Sequence, residues 1–185
     1  MAVFYLIRHA HAEWVPDEQR PLSSKGREDV IRVADLLSGS PITRVYSSPY
    51  QRAWETVRPL TERVGLPVHS EPGLRERKLS GEPIVDGFLA AVKRTWDDPT
   101  YAHPGGETNA AAQRRWVAVV QQLFGPYAEE YMALSTHGNL LALILQHYDP
   151  NVDYAFWRAL TMPDVYELRV EEGETAITRL WDSQK

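Results

Sequence analysis

Short, unbroken apolar runs alternate along this chain with segments in which apolar residues recur at helical spacing. No other feature constrains the fold as strongly. Residues 3–7 (Val-Phe-Tyr-Leu-Ile) are continuous and rich in β-branched and aromatic side chains, the pattern of a buried strand, and Arg8-His9 closes the run. Val30, Val33, Ala34 and Leu37 then repeat with helical period, with Gly39 as the stop. Residues 42–46 read as a second strand. Ser48-Pro49 reads as an N-cap followed by proline in the first helical position, opening a helix carried by Trp54, Val57, Leu60 and Val64 and ended by Gly65. A short strand over 67–70 precedes a turn-rich stretch, 71–106, in which Phe88, Leu89, Val92 and Trp96 mark one helix. A long helix opens near Thr108 and carries Trp116, Val119, Val120 and Leu123; a strand over 131–135 and a helix over 140–148 follow. Residues 165–170 and 176–180 form two closing antiparallel strands around the turn 171–174. This alternation predicts an α/β sandwich on a mostly parallel sheet.

The composition agrees and excludes several functions. A chain of 185 residues, 43% hydrophobic, has the size and apolar content of one domain, residues 1–185, with a modest insertion. A formal net charge of −5 without a dense basic run disfavours a nucleic-acid partner or an anionic-membrane partner, so an anion site must be local. The absence of cysteine removes disulfides, thiolate metal sites and a cysteine nucleophile. The longest apolar run, residues 1–7, falls far short of the ~18 residues of a membrane helix and lacks the features of a signal peptide. The default expectation is cytoplasmic localisation.

In an open α/β sheet, chemistry gathers beyond the carboxyl ends of the strands. Here those ends deliver Arg8-His9, Ser47-Ser48 with Arg52 one helical turn later, Leu74-Arg75-Glu76, and Thr136-His137-Gly138. Were these strands neighbours, two arginines, two histidines and a carboxylate would share one rim. Guanidinium forks grip phosphate oxygens in pairs and keep their charge at any accessible pH. His137 precedes a helix whose first N–H groups could also face an anion. Like charge from the arginines should lower a neighbouring histidine's pKa, leaving a neutral imidazole able to attack phosphorus.

These residues resemble the histidine phosphatase superfamily, also called phosphoglycerate mutase-like. Leu6-Ile7-Arg8-His9-Ala10 is similar to its Arg-His-Gly opening, and Ser47-Ser48-Pro49-Tyr50-Gln51-Arg52-Ala53 with Thr56 to its Ser-Ser-Pro…Arg-Ala…Thr segment. Leu74-Arg75-Glu76, Gly105-Gly106-Glu107-Thr108 and Ser135-Thr136-His137-Gly138 resemble three further motifs in the same order. The resemblance implies a three-layer α/β/α sandwich with a small helical insertion. It also implies His9 as nucleophile, Arg8 and Arg52 as holders of the phosphoryl oxygens, and His137, with Gly138, as donor to the transferring group. Glu76 would protonate the leaving oxygen and then activate water, with no metal or other cofactor required. The implied activity is phosphatase action on a small phosphorylated substrate. Mutases of the family usually carry longer insertions.

The chain also departs from the pattern. Ala10 stands where glycine is usual, and His11, Ala12 and Val15 occupy positions that are often polar in the family. Arg20-Pro21-Leu22-Ser23 with Gly26 is similar to the branch that dephosphorylates protein phosphohistidine. That branch generally lacks a Leu-x-Glu segment. A P–N bond leaves more readily than an alkoxide, so a retained acid favours an ester. The segment of about 77–104, with Lys78, Lys93, Arg94 and Trp96, is expected to line or cover the pocket.

Plainer readings stand beside these. His9-Ala10-His11 could bind zinc in a metal hydrolase, and the whole cluster could belong to a non-catalytic binder of phosphorylated ligands. The charge run 75–78 has the look of a solvated face. Gly105-Gly106 reads as a turn with positive φ, Trp116, Trp157 and Trp181 as core, and His69, His103 and His147 as surface or structural residues.

Overall fold

The computed structural model describes residues 1–15, 19–84, 86–123, 130–171 and 174–183. Thirteen elements follow in order: β1 (Ala2–Arg8), α1 (Ser24–Leu37), β2 (Arg44–Ser47), α2 (Gln51–Val64), β3 (Val68–Ser70), a 3₁₀ turn (Pro72–Leu74), α3 (Phe88–Asp97), α4 (Asn109–Leu123), β4 (Glu130–Thr136), α5 (Gly138–Tyr148), α6 (Tyr154–Ala159), β5 (Asp164–Glu171) and β6 (Glu174–Arg179). The sheet order is β3-β2-β4-β1-β5-β6. The first four of these strands are mutually parallel, β5 pairs antiparallel with β1, and β6 pairs antiparallel with β5. The expected sandwich is thus a mixed sheet. The tip of the last hairpin, 172–173, lies outside the described residues.

Side-chain alternation along β1 builds the two faces. Phe4 and Leu6 join Trp116 of α4 and Leu140, Leu141 and Ile144 of α5 in one core. Val3, Tyr5 and Ile7 point the other way, into Val33, Ala34 and Leu37 of α1 and Val57 and Leu60 of α2. Each fully buried side chain of this kind contributes about 1.5–3 kcal/mol. Residues Gly138 to Leu145 of α5 are all buried, so this stretch of the helix is covered on every side. Among the described residues, no helix is long and apolar enough to cross a membrane.

Three details depart from the sequence reading. Helix α2 starts at Gln51 with Tyr50 as its N-cap, so Ser48 does not cap it and its hydroxyl is available for another partner. Helix α6 was not visible as a pattern, being six residues long; Asp153 caps it through the N–H of Phe156. The charge run 75–78 is only partly a solvated face, since Arg75 and Lys78 are exposed while Arg77 is buried. The turn at Gly105 has φ 70°, as read, and its backbone packs on Gly81 so closely that a Cβ would lie 2.7 Å from Gly81 Cα.

Strand register brings the site together. Arg8 at the end of β1 stands between Thr136 of β4 and Asp164 of β5. Ser47 of β2 is level with Ser135 of β4.

Candidate active site

His9 leaves β1 with its N–H still bonded to the Thr136 carbonyl, 2.9 Å away. Its ring is oriented by Nδ1, which lies 2.8 Å from the carbonyl of Ala10. A carbonyl only accepts, so the hydrogen sits on Nδ1 and Nε2 carries the lone pair. The Nε–H of Arg52 donates to that lone pair across 3.2 Å. Thr56 locks the surrounding backbone: its hydroxyl accepts from Ala10 N at 3.0 Å and donates to Arg52 O at 2.6 Å. The His9 pKa is lowered from 6.5 to about 3, chiefly by burial and then by the charge of Arg52, against the raising effect of the Ala10 bond. Burial thus outweighs the guanidinium repulsion that sequence reasoning put first.

Arg8 is aimed by main chain far away in sequence. Its Nη1 donates to the carbonyls of Leu160 at 2.9 Å and Thr161 at 3.1 Å. Its Nε is buried without a hydrogen-bond partner. Burial lowers its pKa, opposed by Glu76 and Asp164. Asp164 is itself bound by Arg179 through two 2.9 Å bonds. Gly138 gives Arg8 room: a Cβ there would lie 2.9 Å from both Cζ and Nε of the guanidinium.

His137 is fully buried ahead of α5, its ring 5.0 Å from that of His9. Its Nε2 lies 2.8 Å from Ser48 Oγ, while Nδ1 has no partner. Burial, then His9 and Arg52, hold its pKa well below the ordinary value. The first amides of α5 do not face the pocket freely, as the sequence had suggested. Asn139 N donates to Glu76 Oε2 at 3.1 Å, and Leu140 N to Oε1 at 3.0 Å. Arg77 N adds a third bond, to Oε1, at 2.8 Å. One acceptor site of the carboxylate, on Oε2, is left over.

The segment before Glu76 is clamped by Arg115 of α4. Its guanidinium donates to the carbonyls of Gly73 (2.5 Å) and Arg75 (3.0 Å) and to both oxygens of Glu107 (3.0 and 2.8 Å). Thr108 accepts from Ala111 N, 3.0 Å away, at the start of the same helix. The Gly-Gly-Glu-Thr motif therefore acts as scaffold for the acid segment.

A cavity of about 690 Å³ opens beside these groups, and His137 is not part of its wall. Arg8, His9, Arg52, Glu76 and Gly138 all reach it; the rest of its wall includes Trp14 and Arg20 from the loop after β1, and Trp157 and Met162 from the α6 side. The segment 77–104 contributes Arg77, Leu79, Phe88 and Val92. The four residues singled out there lie elsewhere: Lys78 is exposed, Lys93 pairs with Asp97 at 2.6 Å, Arg94 stacks 4.0 Å over Tyr101, and Trp96 donates to Asn139 at 3.1 Å. Ser48, Arg20 and Arg77 were not read as site residues. The sequence around the first has the signature of a helix cap, and that around the last the signature of a solvated run. Trp157, read as core, lines the cavity while Trp116 and Trp181 are buried as expected. Within His9-Ala10-His11, His9 Nε2 takes the Arg52 N–H, and His11 Nδ1 lies 2.8 Å from Ser23 Oγ. Among the described residues no group of three or more His, Asp or Glu side chains gathers in a way that could hold a metal ion.

Comparison with known proteins gives a consistent picture. The family model described as histidine phosphatase superfamily, branch 1, matches residues 4–183. A glucosyl-3-phosphoglycerate phosphatase of Mycolicibacterium vanbaalenii is 26% identical over 158 residues, covering 75% of this chain and 70% of that protein. The chain covers 61% of the Mycobacterium tuberculosis protein of the same name. Phosphoglycerate mutase-like protein 4 of Arabidopsis thaliana is 24% identical over 200 residues, covering 97% of this chain and 84% of its own length. Among solved structures, Bacillus stearothermophilus YhfR superimposes with a TM-score of 0.80 at 23% identity, over 97% of this chain and 96% of that one.

Proposed function

The chain belongs to the histidine phosphatase superfamily, branch 1, and from that premise we propose that it hydrolyses small phosphate monoesters, without a metal, through a phosphohistidine on His9. The observation that carries the proposal is the state of His9 Nε2: it is unprotonated and takes the Arg52 N–H in a cavity wall that Arg8 also lines, and the same cluster holds two buried polar atoms without hydrogen-bond partners, Arg8 Nε and His137 Nδ1. Buried polar groups are costly when unpaired. A phosphoryl group against His9 gives both of them oxygens to bind, with Nδ1 carrying the hydrogen when Ser48 Oγ donates to Nε2.

A phosphoryl oxygen takes the Arg52 N–H and frees the lone pair; Nε2 attacks phosphorus, and the P–O bond to the alcohol breaks. Glu76 passes a proton from Oε2 to the departing oxygen. Its carboxylate then takes a proton from water, the hydroxyl attacks phosphorus, and the N–P bond breaks to return neutral His9 and inorganic phosphate. The guanidiniums of Arg8 and Arg52 neutralise the charge that a metal would otherwise neutralise. In this reading the segment of about 77–104 covers the cavity mouth.

An ester is favoured over a protein phosphohistidine because three backbone amides hold an acid at the leaving-group side. The test is a rapid quench during turnover of a labelled monoester. The label is expected on His9, acid-labile and alkali-stable, and His9→Ala is expected to lose about 10⁴-fold or more in kcat with the fold intact. Label on a serine, or turnover with no trapped label, would sink the proposal. Transfer of the label to a second alcohol in place of water would assign the chain to the mutases.

A further inference from the structure

Asp164 opens β5 fully buried, and its carboxylate accepts from Thr161 N at 2.9 Å, Val165 N at 3.1 Å, and Nε and Nη2 of Arg179, both at 2.9 Å. Arg179 comes from β6, the edge strand of the sheet, and forms no part of the cavity wall. Its side chain is 41% exposed, so shortening it opens no hole in the core. Its Nη2 also donates to Thr161 Oγ1 at 3.2 Å. On the other side of Asp164 stands Arg8, its partner in the strand register, whose charge it acts on. The Arg8 guanidinium gives Nη1 to the carbonyls of Leu160 and Thr161, and its buried Nε has no hydrogen-bond partner. A buried carboxylate needs a counter-charge, and a guanidinium fork meets it best. Two arginines act on this carboxylate, and the one at the sheet edge holds it.

We propose that Arg179 is a positioning residue for the phosphoryl site: by occupying the Asp164 carboxylate it leaves Arg8 to the anion. This rests on the phosphatase reading for the role of Arg8. Asp164 and a phosphoryl group are rivals, since a guanidinium grips the oxygens of either in pairs. With Arg179 in place, the charge of Asp164 is neutralised and each of its oxygens already holds a guanidinium N–H and a backbone N–H. The loop 160–164 stays tied to β6 in the arrangement that presents two carbonyls to Arg8. Without Arg179, a buried and uncompensated carboxylate faces Arg8. The unpartnered Nε–H of Arg8 then turns to Asp164 instead of to the substrate. A residue of the outermost strand thus sets the strength of the phosphate grip.

Calorimetric titration with inorganic phosphate tests this on the full chain. Arg179→Met is expected to weaken phosphate binding by about 10-fold or more, the worth of a lost charge-assisted hydrogen bond. Adding Asp164→Asn to Arg179→Met removes the rival, and is expected to return the affinity to within about 3-fold of the unaltered chain. A merely structural loss would not be repaired by a second change in the same pair. In an Arg8→Gln chain no guanidinium is left to divert, so Arg179→Met should change the remaining affinity by less than about 3-fold. Unchanged affinity in Arg179→Met, a double variant no stronger than Arg179→Met, or an equal loss with and without Arg8 would overturn the proposal and leave Arg179 as a brace of the last hairpin. If Arg179→Met alone does not fold, the double variant decides: affinity within about 3-fold supports the proposal, and any larger loss overturns it. Turnover of p-nitrophenyl phosphate tests the phosphatase reading separately. Its absence with the binding pattern intact would remove hydrolysis and leave the role of Arg179 standing.

Discussion

The Nε–H of Arg52 points at Nε2 of His9 across 3.2 Å. The proposed clamp for phosphate therefore occupies the proposed nucleophile until an anion arrives. This contact and the Nδ1–Ala10 bond together fix one tautomer, so substrate binding releases a lone pair already facing the cavity. Because the N–H must change acceptor before attack, positioning of Arg52 and exposure of the nucleophile are one event.

Charge neutralisation by arginine makes a prediction about inhibitors. Activity is expected to survive exhaustive EDTA treatment, and vanadate, which adopts the five-coordinate geometry of phosphorus in transfer, should inhibit competitively. Loss of activity with chelator and its recovery with zinc would shift the mechanism to a metal hydrolase.

Glu76 is tested through its leaving group. General acid–base contributions are typically ~10²–10⁴-fold, and Glu76→Gln should lose that much in single-turnover phosphorylation of His9 by alkyl phosphates. With p-nitrophenyl phosphate, whose phenolate departs unaided, the same step should change little while hydrolysis of the phosphoenzyme slows. An equal loss with both substrates would leave Glu76 as an orienting carboxylate only.

The two buried histidines set a pH dependence of stability. His9 titrates at about 3 in the folded chain against 6.5 for an unperturbed imidazole, and His137 is shifted in the same direction. Above pH 6.5 neither state takes the proton, so these groups add no slope. Below it the unfolded chain binds protons that the folded chain refuses, and stability falls towards pH 3. The slope is about 1.4 kcal/mol per pH unit for each histidine. Urea unfolding between pH 7 and 4.5 should show a shallower decline for His9→Asn; parallel curves for the two proteins would refute the assignment.

Gly138 has no room for a side chain because Arg8 passes within 2.9 Å of where its Cβ would stand. Gly138→Ala is expected to displace the guanidinium and lower kcat/KM about 10²-fold, with weaker inhibition by vanadate. Unchanged vanadate inhibition would show that Arg8 tolerates the shift.

Strand ends are legible in the sequence because each combines a short apolar run with a polar stop, and that pattern singles out Arg8, His9, Arg52, Glu76, Gly138 and His137. The cavity does gather the first five, and the His137 ring lies 5.0 Å from that of His9. What stayed hidden depends on contacts between distant segments. Ser48 has the local signature of a cap, and only the approach of His137 from β4 gives its hydroxyl another partner. Arg77 sits among charges, and nothing local tells that Glu76 and Glu107 are engaged with other donors. The occupied amides of α5 were hidden likewise, since Glu76 reaches them from 63 and 64 positions away. The six-residue α6 is too short for periodicity to register.

Arg8 Nη1 finds its two carbonyls 152 and 153 residues downstream, at Leu160 and Thr161. A nascent chain made at about 5–20 residues per second thus has its proposed nucleophile and first guanidinium in hand for many seconds before the acceptors that aim the guanidinium exist. The strand that carries both, β1, also waits for β4 and β5 to pair with it on either side. In the proposed reading, anion-binding competence is a late event of synthesis, reached only when nearly the whole described chain has emerged, and an unfinished copy holds His9 and Arg8 without the main chain that aims the guanidinium.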